Sequence, residues 1–417
     1  MRFLLLTQYF YPEVGASQVR LGAFTRELTR RGHAVEIVTA LPNHPTGRIF
    51  PAYHPQWHTL DHWEGMTIHR MWLSPANGST CKRLLNYFSF AFSAHSGLHN
   101  ASVPDYLIAD FPPLFLSIPA VLAARRWGIP VIFNIADLWP DSVRALGIMR
   151  EGVALRCADH LERWAYRQAT YLNAVTEGIR DTLLDTKQVP AEKVLFLPNG
   201  VDIATVHPQP SDPRLARELG LAESPILLYA GTHGMAHGME VALDAAALLT
   251  DTPIKLVFIG NGPQRQPLIE LAQARQLPNV VFLEPQPLEY VARLHSLAFA
   301  GLSTLQDSAF FAGTRPVKAL IAMAAGKPVI YSGAGEGAQI IEDAHAGVVT
   351  PAQNAPALAA AIRHLWQHPA EAARLGANGR HYIEQYLSWP AVVDNWLQQL
   401  QCRESARISP LVSVKSY

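Results

Sequence analysis

Short apolar runs rich in Val, Ile, Leu and Phe alternate along the chain with stretches whose apolar residues recur at helical spacing. This is the pattern of βα units feeding a parallel sheet. A first series of strands is expected at residues 3–7, 34–39, 106–109, 131–135, 171–174 and 194–197. Helices fall between them: one over 17–31 stops at Gly32, and one over 114–127 stops at Gly128. Residues 198–213 are dense in Pro, Gly, Asn and Asp without periodicity, which marks a linker. A second series then begins, with strands at 226–230, 255–259, 280–283, 298–302, 329–331 and 347–349 and helices near 240–249, 264–275, 317–325 and 355–368. The expected fold class is α/β, two Rossmann-like doubly wound parallel-sheet domains in series. After Pro369 the pattern is helical to about Cys402, and 403–417 read as a frayed tail.

A length of 417 residues suits two or three domains, and 49% apolar with 16% charged residues suits a folded globular chain. Lys+Arg and Asp+Glu balance at 34 each, so nothing global advertises nucleic acid. Cys81, Cys157 and Cys402 form no paired motif, against a disulfide framework, and a reducing cytoplasm is the expected home. The start, Met1-Arg2 and a brief apolar run, reads as a first buried strand and not as a signal peptide.

Ligands of open parallel sheets bind beyond the carboxyl ends of the strands, where loops and helix N-termini offer N–H groups. The loop Tyr9 to Ser17 contains Gly15 and Ala16, which allow close backbone approach. The run Tyr229-Ala230-Gly231-Thr232-His233-Gly234-Met235-Ala236-His237-Gly238 follows a strand and precedes a helix. Gly260-Asn261-Gly262 follows the next strand, and Thr314-Arg315-Pro316-Val317-Lys318 leads into a later helix. Ser332 to Ala338 carries Glu336 among glycines. In the first half, Asp110 and Asp137 each follow a strand; either carboxylate could orient or deprotonate a hydroxyl, and Asp137 could equally cap a helix start.

Two further features stand apart. His54, His58 and His62 recur every four residues, as metal ligands on a helix would, but Pro51, Pro55 and Gly65 make the segment loop-like. Residues 84–98 are uncharged, follow Lys82-Arg83 and carry Leu85, Phe88, Phe92 and Leu98. A helix there either rests on anionic lipid or packs on the first sheet.

Taken in order, Tyr9-Phe-Tyr-Pro-Glu-Val-Gly15, Arg31-Gly-His-Ala-Val-Glu-Ile-Val-Thr39, Asp137-Leu-Trp-Pro-Asp-Ser142, Val175-Thr-Glu-Gly-Ile179, Pro198-Asn-Gly-Val-Asp202, Ile259-Gly-Asn-Gly-Pro263 and Met323-Ala-Ala-Gly-Lys-Pro-Val329 resemble the family-4 glycosyltransferases. The branch is that of bacterial O-antigen, capsule and exopolysaccharide aminosugar transferases. The resemblance implies a GT-B fold: an N-terminal acceptor domain over 1–200 completed by a helix near 386–402, and a donor domain over 201–385, with a cleft between them. It implies retaining transfer of a sugar, an N-acetylated or deoxy hexose, from a UDP-linked nucleotide-sugar donor to a lipid-linked (polyprenyl diphosphate) saccharide acceptor. The expected location is cytoplasmic or peripheral on the inner face of the membrane.

Departures from the family pattern direct the search for site residues. The family's two donor-flanking glutamates fall on Gly313 and Ile321, and its diphosphate-binding Arg and Lys fall on Thr232 and His237. No Asp-x-Asp occurs, so metal independence is expected, with no cofactor. A departing diphosphate still needs preorganised positive charge. The expected catalytic residues are therefore Asp137, Asp110 and Lys318. Donor contacts are expected from Gly15, Ala16, Gly231, Thr232, His237, Gly262, Arg315, Lys318 and Glu336. Alternatives in keeping with the lost carboxylates are a weakly active sugar-nucleotide-binding subunit and a GT-B epimerase.

Overall fold

The computed structural model describes residues 1–13, 15–76, 80–145, 151–222, 224–308 and 311–413. Contacts divide the chain into two units, Met1–Asn199 with Val392–Tyr417, and Gly200–Ala391.

The first unit is built on eight strands: β1 (Arg2–Leu6), β2 (Ala34–Ala40), β3 (His58–Trp63), β4 (Met66–Met71), β5 (Tyr106–Phe111), β6 (Val131–Ile135), β7 (Tyr171–Ala174) and β8 (Val194–Phe196). They lie in the order β3-β4-β2-β1-β5-β6-β7-β8, all parallel except β3 against β4. Chain direction across the sheet reverses between β1 and β5, so the loops after these strands open at the switch point. The unbroken apolar run Phe3 to Leu6 is fully buried because helices cover both faces of a parallel sheet. Gly128 ends the helix Ser117–Trp127 at φ 67°, a left-handed cap that places the Ile129 N–H on the Ala124 carbonyl.

The β3–β4 hairpin replaces the loop expected across 51–65. Its connection is two residues, Glu64 and Gly65, both at positive φ (48° and 80°), the twist that a tight hairpin requires. His58 and His62 therefore share one face of an edge strand, and His58 Nε2 meets His69 Nδ1 at 3.1 Å. Among the described residues no group of three or more His, Cys, Asp or Glu is placed to hold a metal ion.

Residues 84–98 lie within the helix Thr80–Asn100. Phe90, Ala94 and Leu98 are buried in the sheet's core, while Leu85, Phe88 and Phe92 remain 57%, 50% and 72% exposed. No helix among the described residues is long and apolar enough to cross a membrane.

The second unit holds β9 (Ile226–Ala230), β10 (Lys255–Ile259), β11 (Val280–Leu283), β12 (Ala298–Thr304), β13 (Val329–Ser332) and β14 (Gly347–Thr350), all parallel in the order β11-β10-β9-β12-β13-β14. Its switch point lies between β9 and β12. The last helix, Trp389–Ser413, continues past the stop expected near Cys402, so 403–413 are helical where a frayed tail was expected; 414–417 lie outside the described residues. Within the first unit Trp396 on this helix is fully buried, its Nε1 donating to Asn173 Oδ1 at 2.8 Å and its ring 5.2 Å from Phe24.

Candidate functional site

In the second unit the loops after β9 and β10 lie backbone against backbone. The Gly231 N–H donates to the Ile259 carbonyl, the His233 N–H to the Asn261 carbonyl and the Gln264 N–H to the His233 carbonyl, each at 2.9 Å. Glycine is required for this approach: a Cβ on Gly260 would stand 1.9 Å from the Gly231 oxygen, and one on Gly262 2.4 Å from the His233 oxygen. Both residues also hold positive φ, 143° and 153°.

Lys318 enters this floor from the first turn of the helix Val317–Ala324. The side chain is buried; its Cε would lie 3.1 Å from a Cβ at Gly231, and its Nζ sits 5.0 Å from the centre of the Tyr229 ring. Nζ is 3.1 Å from His237 Nδ1 and 3.3 Å from Nε2. The His237 ring also bonds the Thr304 carbonyl, which fixes one N–H and leaves the other nitrogen to accept from lysine. Burial lowers the lysine to about 7, and burial followed by the Lys318 charge lowers His237 to about 4. The imidazole is thus neutral at pH 7, and the lysine carries a charge stabilised by a ring face and a neutral nitrogen alone. Thr232, in contrast, is exposed, and its carbonyl accepts from the Tyr229 hydroxyl at 2.9 Å.

Arg315 and Glu336 are joined. Nε and Nη2 of Arg315 donate to Glu336 Oε1 at 2.7 and 2.6 Å, with the side chains only 4% and 6% exposed. The Glu336 N–H donates to the Ala312 carbonyl at 2.7 Å. This clasp ties the loop before one helix to the start of another, Glu336–Asp343. Both residues, expected as donor contacts, thus stand as an ion pair among the loops beside Lys318. Ile321 packs against the apolar cluster that includes Met323 and Ile341.

In the first unit, Asp110 at the end of β5 is 3% exposed. Its Oδ1 accepts from Arg20 Nη2 at 2.7 Å and Asn134 Nδ2 at 2.6 Å, and its Oδ2 from Ser17 Oγ at 3.0 Å. Burial pushes this carboxyl up, opposed chiefly by the Arg20 guanidinium at 2.7 Å. Asp110 thereby ties Ser17 and Arg20 of the helix Ala16–Arg30 to the end of β5. Of the expected Gly15 and Ala16 contacts, Gly15 caps that helix with extended backbone; the Ala16 backbone begins the helix, and its side chain lies outside the described residues. Asp137, beyond β6, stays accessible at its tip and accepts from Ser142 Oγ at 2.8 Å. Burial raises its carboxyl.

Of the second-unit site, Tyr229 escapes sequence reasoning, while His233 belongs to the histidine-bearing run that the sequence brings out. Tyr229 reads as an ordinary strand residue, yet its ring supports the lysine. His233 is fully buried with neither ring nitrogen bonded to protein, and burial lowers it to about 4.

Comparison with known proteins gives concordant matches. The Glycosyl transferase 4-like domain family matches residues 15–200, and the Glycosyl transferases group 1 family matches 212–382. WcaI of Escherichia coli (strain K12), named as a colanic acid biosynthesis glycosyl transferase, is 28% identical over 312 residues, covering 70% of this chain and 74% of that protein. Among solved structures, the sucrose-phosphate synthase of Thermosynechococcus elongatus superposes with TM-score 0.74 at 20% identity, covering 98% of this chain and 99% of that one. HepE of Anabaena in complex with UDP-glucose gives TM-score 0.70 at 17% identity, over 96% and 100%.

Proposed function

The chain belongs to the family-4-like glycosyltransferases of the GT-B fold, enzymes of the surface-polysaccharide type, and from that premise we propose that it moves a sugar from a UDP-linked donor held by the second unit to a lipid-linked saccharide received by the first. The observation that carries the proposal is Lys318, a buried amine set at the switch-point loops with no carboxylate partner among the described residues. That UDP-glucose is bound by the Anabaena neighbour supports the donor class.

A nucleoside diphosphate gains charge as the glycosidic bond breaks, so groups stronger toward the departing diphosphate than toward the intact donor accelerate the step. Lys318 Nζ fits that role because water is excluded around it and an arriving phosphate anion restores its full charge. Loop N–H groups over 231–238 add neutral donors, and the Arg315–Glu336 clasp holds the loops that present them. In this reading the chemistry uses no metal ion, and the anomeric configuration is retained as in the family. Asp137, accessible beside β6, is the group that orients the acceptor hydroxyl.

The exposed face of the helix Thr80–Asn100 gives the enzyme a lipid contact. Leu85, Phe88 and Phe92 lie outward, Lys82 and Arg83 stand at its start, and the helix contains no acidic residue. Charge and apolar surface together fit an anionic lipid surface. A panel of nucleotide sugars incubated with lipid-linked acceptors, with products read by mass spectrometry, tests the proposal. Acceptor-dependent transfer supports it; donor conversion without acceptor, or donor binding without turnover, overturns it.

A further inference from the structure

We infer that the first unit contains an anion subsite centred on Arg83 that takes the phosphate or diphosphate group of the acceptor. This rests on the glycosyltransferase reading and names one recognition element within it.

A cavity of about 310 Å³ lies where the loops after β1, β2 and β4 meet the start of the helix Thr80–Asn100. Tyr9 comes from the first loop, Asn43 and His44 from the second, and Arg83, Asn86 and Tyr87 from the helix. These are carboxyl ends of neighbouring parallel strands, where this class of sheet receives ligands.

The lining groups divide into those already satisfied and those that are not. Asn86 is spent, since its Oδ1 accepts from Gln8 Nε2 at 2.6 Å and its Nδ2 donates to the Ser74 carbonyl at 2.9 Å. Glu13, the nearby carboxylate, turns its Oε1 to the backbone N–H groups of Asn43 and His44 at 2.7 Å each. That leaves Arg83. Its Nη2 donates to the Tyr87 hydroxyl at 3.3 Å, its side chain is exposed, and among the described residues no carboxylate forms an ion pair with it. The Tyr9 hydroxyl bonds that of Tyr87, and the His44 ring lies 5.3 Å from the Tyr9 ring. Burial, with Arg83, lowers the proton affinity of His44.

One guanidinium that pairs with no carboxylate among the described residues, two hydroxyls and an imidazole around one cavity make a receptor for a compact anion. A phosphate offers several acceptor oxygens that the planar guanidinium can engage in pairs. A neutral sugar ring leaves the charge unmatched.

Calorimetric titration of the full chain with geranyl diphosphate and with inorganic pyrophosphate tests the inference. The titrations are made in the Lys318→Ala background, which removes the donor-side ammonium, and there both probes bind through Arg83. Arg83→Met weakens both at least tenfold, Arg83→Lys recovers part of the loss, and all variants keep the wild-type circular dichroism spectrum. Tighter binding of geranyl diphosphate than of pyrophosphate assigns the subsite to a prenyl-borne group; equal binding with the same Arg83 dependence assigns it to a phosphoryl group alone. Absence of binding by either probe, or binding that Arg83→Met leaves unchanged, overturns the subsite. If sugar transfer occurs and Arg83→Met leaves the acceptor KM unaltered, the subsite falls while the enzymatic reading stands. If the probes bind through Arg83 and no sugar is transferred to any acceptor, the enzymatic reading falls while the subsite stands.

Discussion

Lys318 Nζ lies 3.1 Å from His237 Nδ1, and the lysine side chain runs against the Gly231 backbone. The influence runs one way: the lysine charge, after burial, disfavours imidazolium, whereas Lys318 is lowered by burial and the neutral imidazole offers it an acceptor nitrogen but no counter-charge. The site is consequently poised for an anion to complete it.

Replacing Lys318 with Ala should reduce turnover by an order of magnitude or more while leaving the fold intact, because the lost interaction acts mainly on the departing diphosphate. Steady-state kinetics with the donor and acceptor found by the product screen measures this. Equal kcat values for the two proteins refute the phosphate role.

The same lysine predicts a proton balance. Free Lys318 titrates near 7, lowered from an ordinary 10.5, so at pH 8 most of it is neutral. A bound diphosphate raises its proton affinity, and UDP binding at pH 8 should take up close to one proton. Calorimetry in buffers of different ionisation enthalpy reads that number, which should fall toward zero in Lys318→Met. The stability consequence has a defined sign. Between about 7 and 10.5 the unfolded chain holds a proton that the folded chain has released, so burial of Lys318 makes stability rise with pH across that window. The penalty of burying the charged form is fully present below 7. Denaturant melts of wild type and Lys318→Met across the window should show the slope in the first and a smaller one in the second.

Transfer should persist in excess EDTA, since the proposal assigns the diphosphate to Lys318 and loop N–H groups. Complete loss of activity that manganese or magnesium restores would show that a cation performs this role.

Opposite faces of one helix should respond differently to the same substitution. Phe88→Ser with Phe92→Ser removes exposed rings and should abolish salt-sensitive binding to anionic vesicles with little change in stability. Phe90→Ser, at a fully buried position, should cost ~3–5 kcal/mol. Vesicle binding that survives the double substitution excludes the lipid face.

Glu336→Ala should destabilise the second unit by ~3–5 kcal/mol, because it strands the buried Arg315 charge. Donor affinity should fall as a consequence of loosened loops, and the joint replacement Arg315→Met with Glu336→Leu should restore much of the stability. A Glu336→Ala protein with wild-type melting and weakened UDP binding points instead to a direct ribose contact.

The strands buried on both faces were legible because their apolar runs are continuous, as at Phe3 to Leu6 and Ile226 to Ala230. The β3–β4 hairpin was not: an edge strand carrying His58, Asp61 and His62 has no apolar alternation to read, and Pro51 and Pro55 signalled a loop. Site chemistry was legible as far as loops can be counted along strand ends, which brought out Lys318, His237 and the glycines. Pairings across sequence were hidden. Arg315 and Glu336 stand twenty-one positions apart, and only folding turns two candidate ligand contacts into one clasp. Asp110 likewise takes its meaning from Arg20, ninety positions upstream.

The backbone contact of Gly260 and Gly262 with the loop after β9 bears on how such an enzyme can change its donor. Neither loop can lengthen or acquire a side chain at these points without displacing the other, so the two must drift together through evolution or remain as they are. Diversity of donor choice in chains with this floor is then to be sought in exposed side chains of the loop after β9, such as Thr232 and Met235, which can be exchanged one at a time.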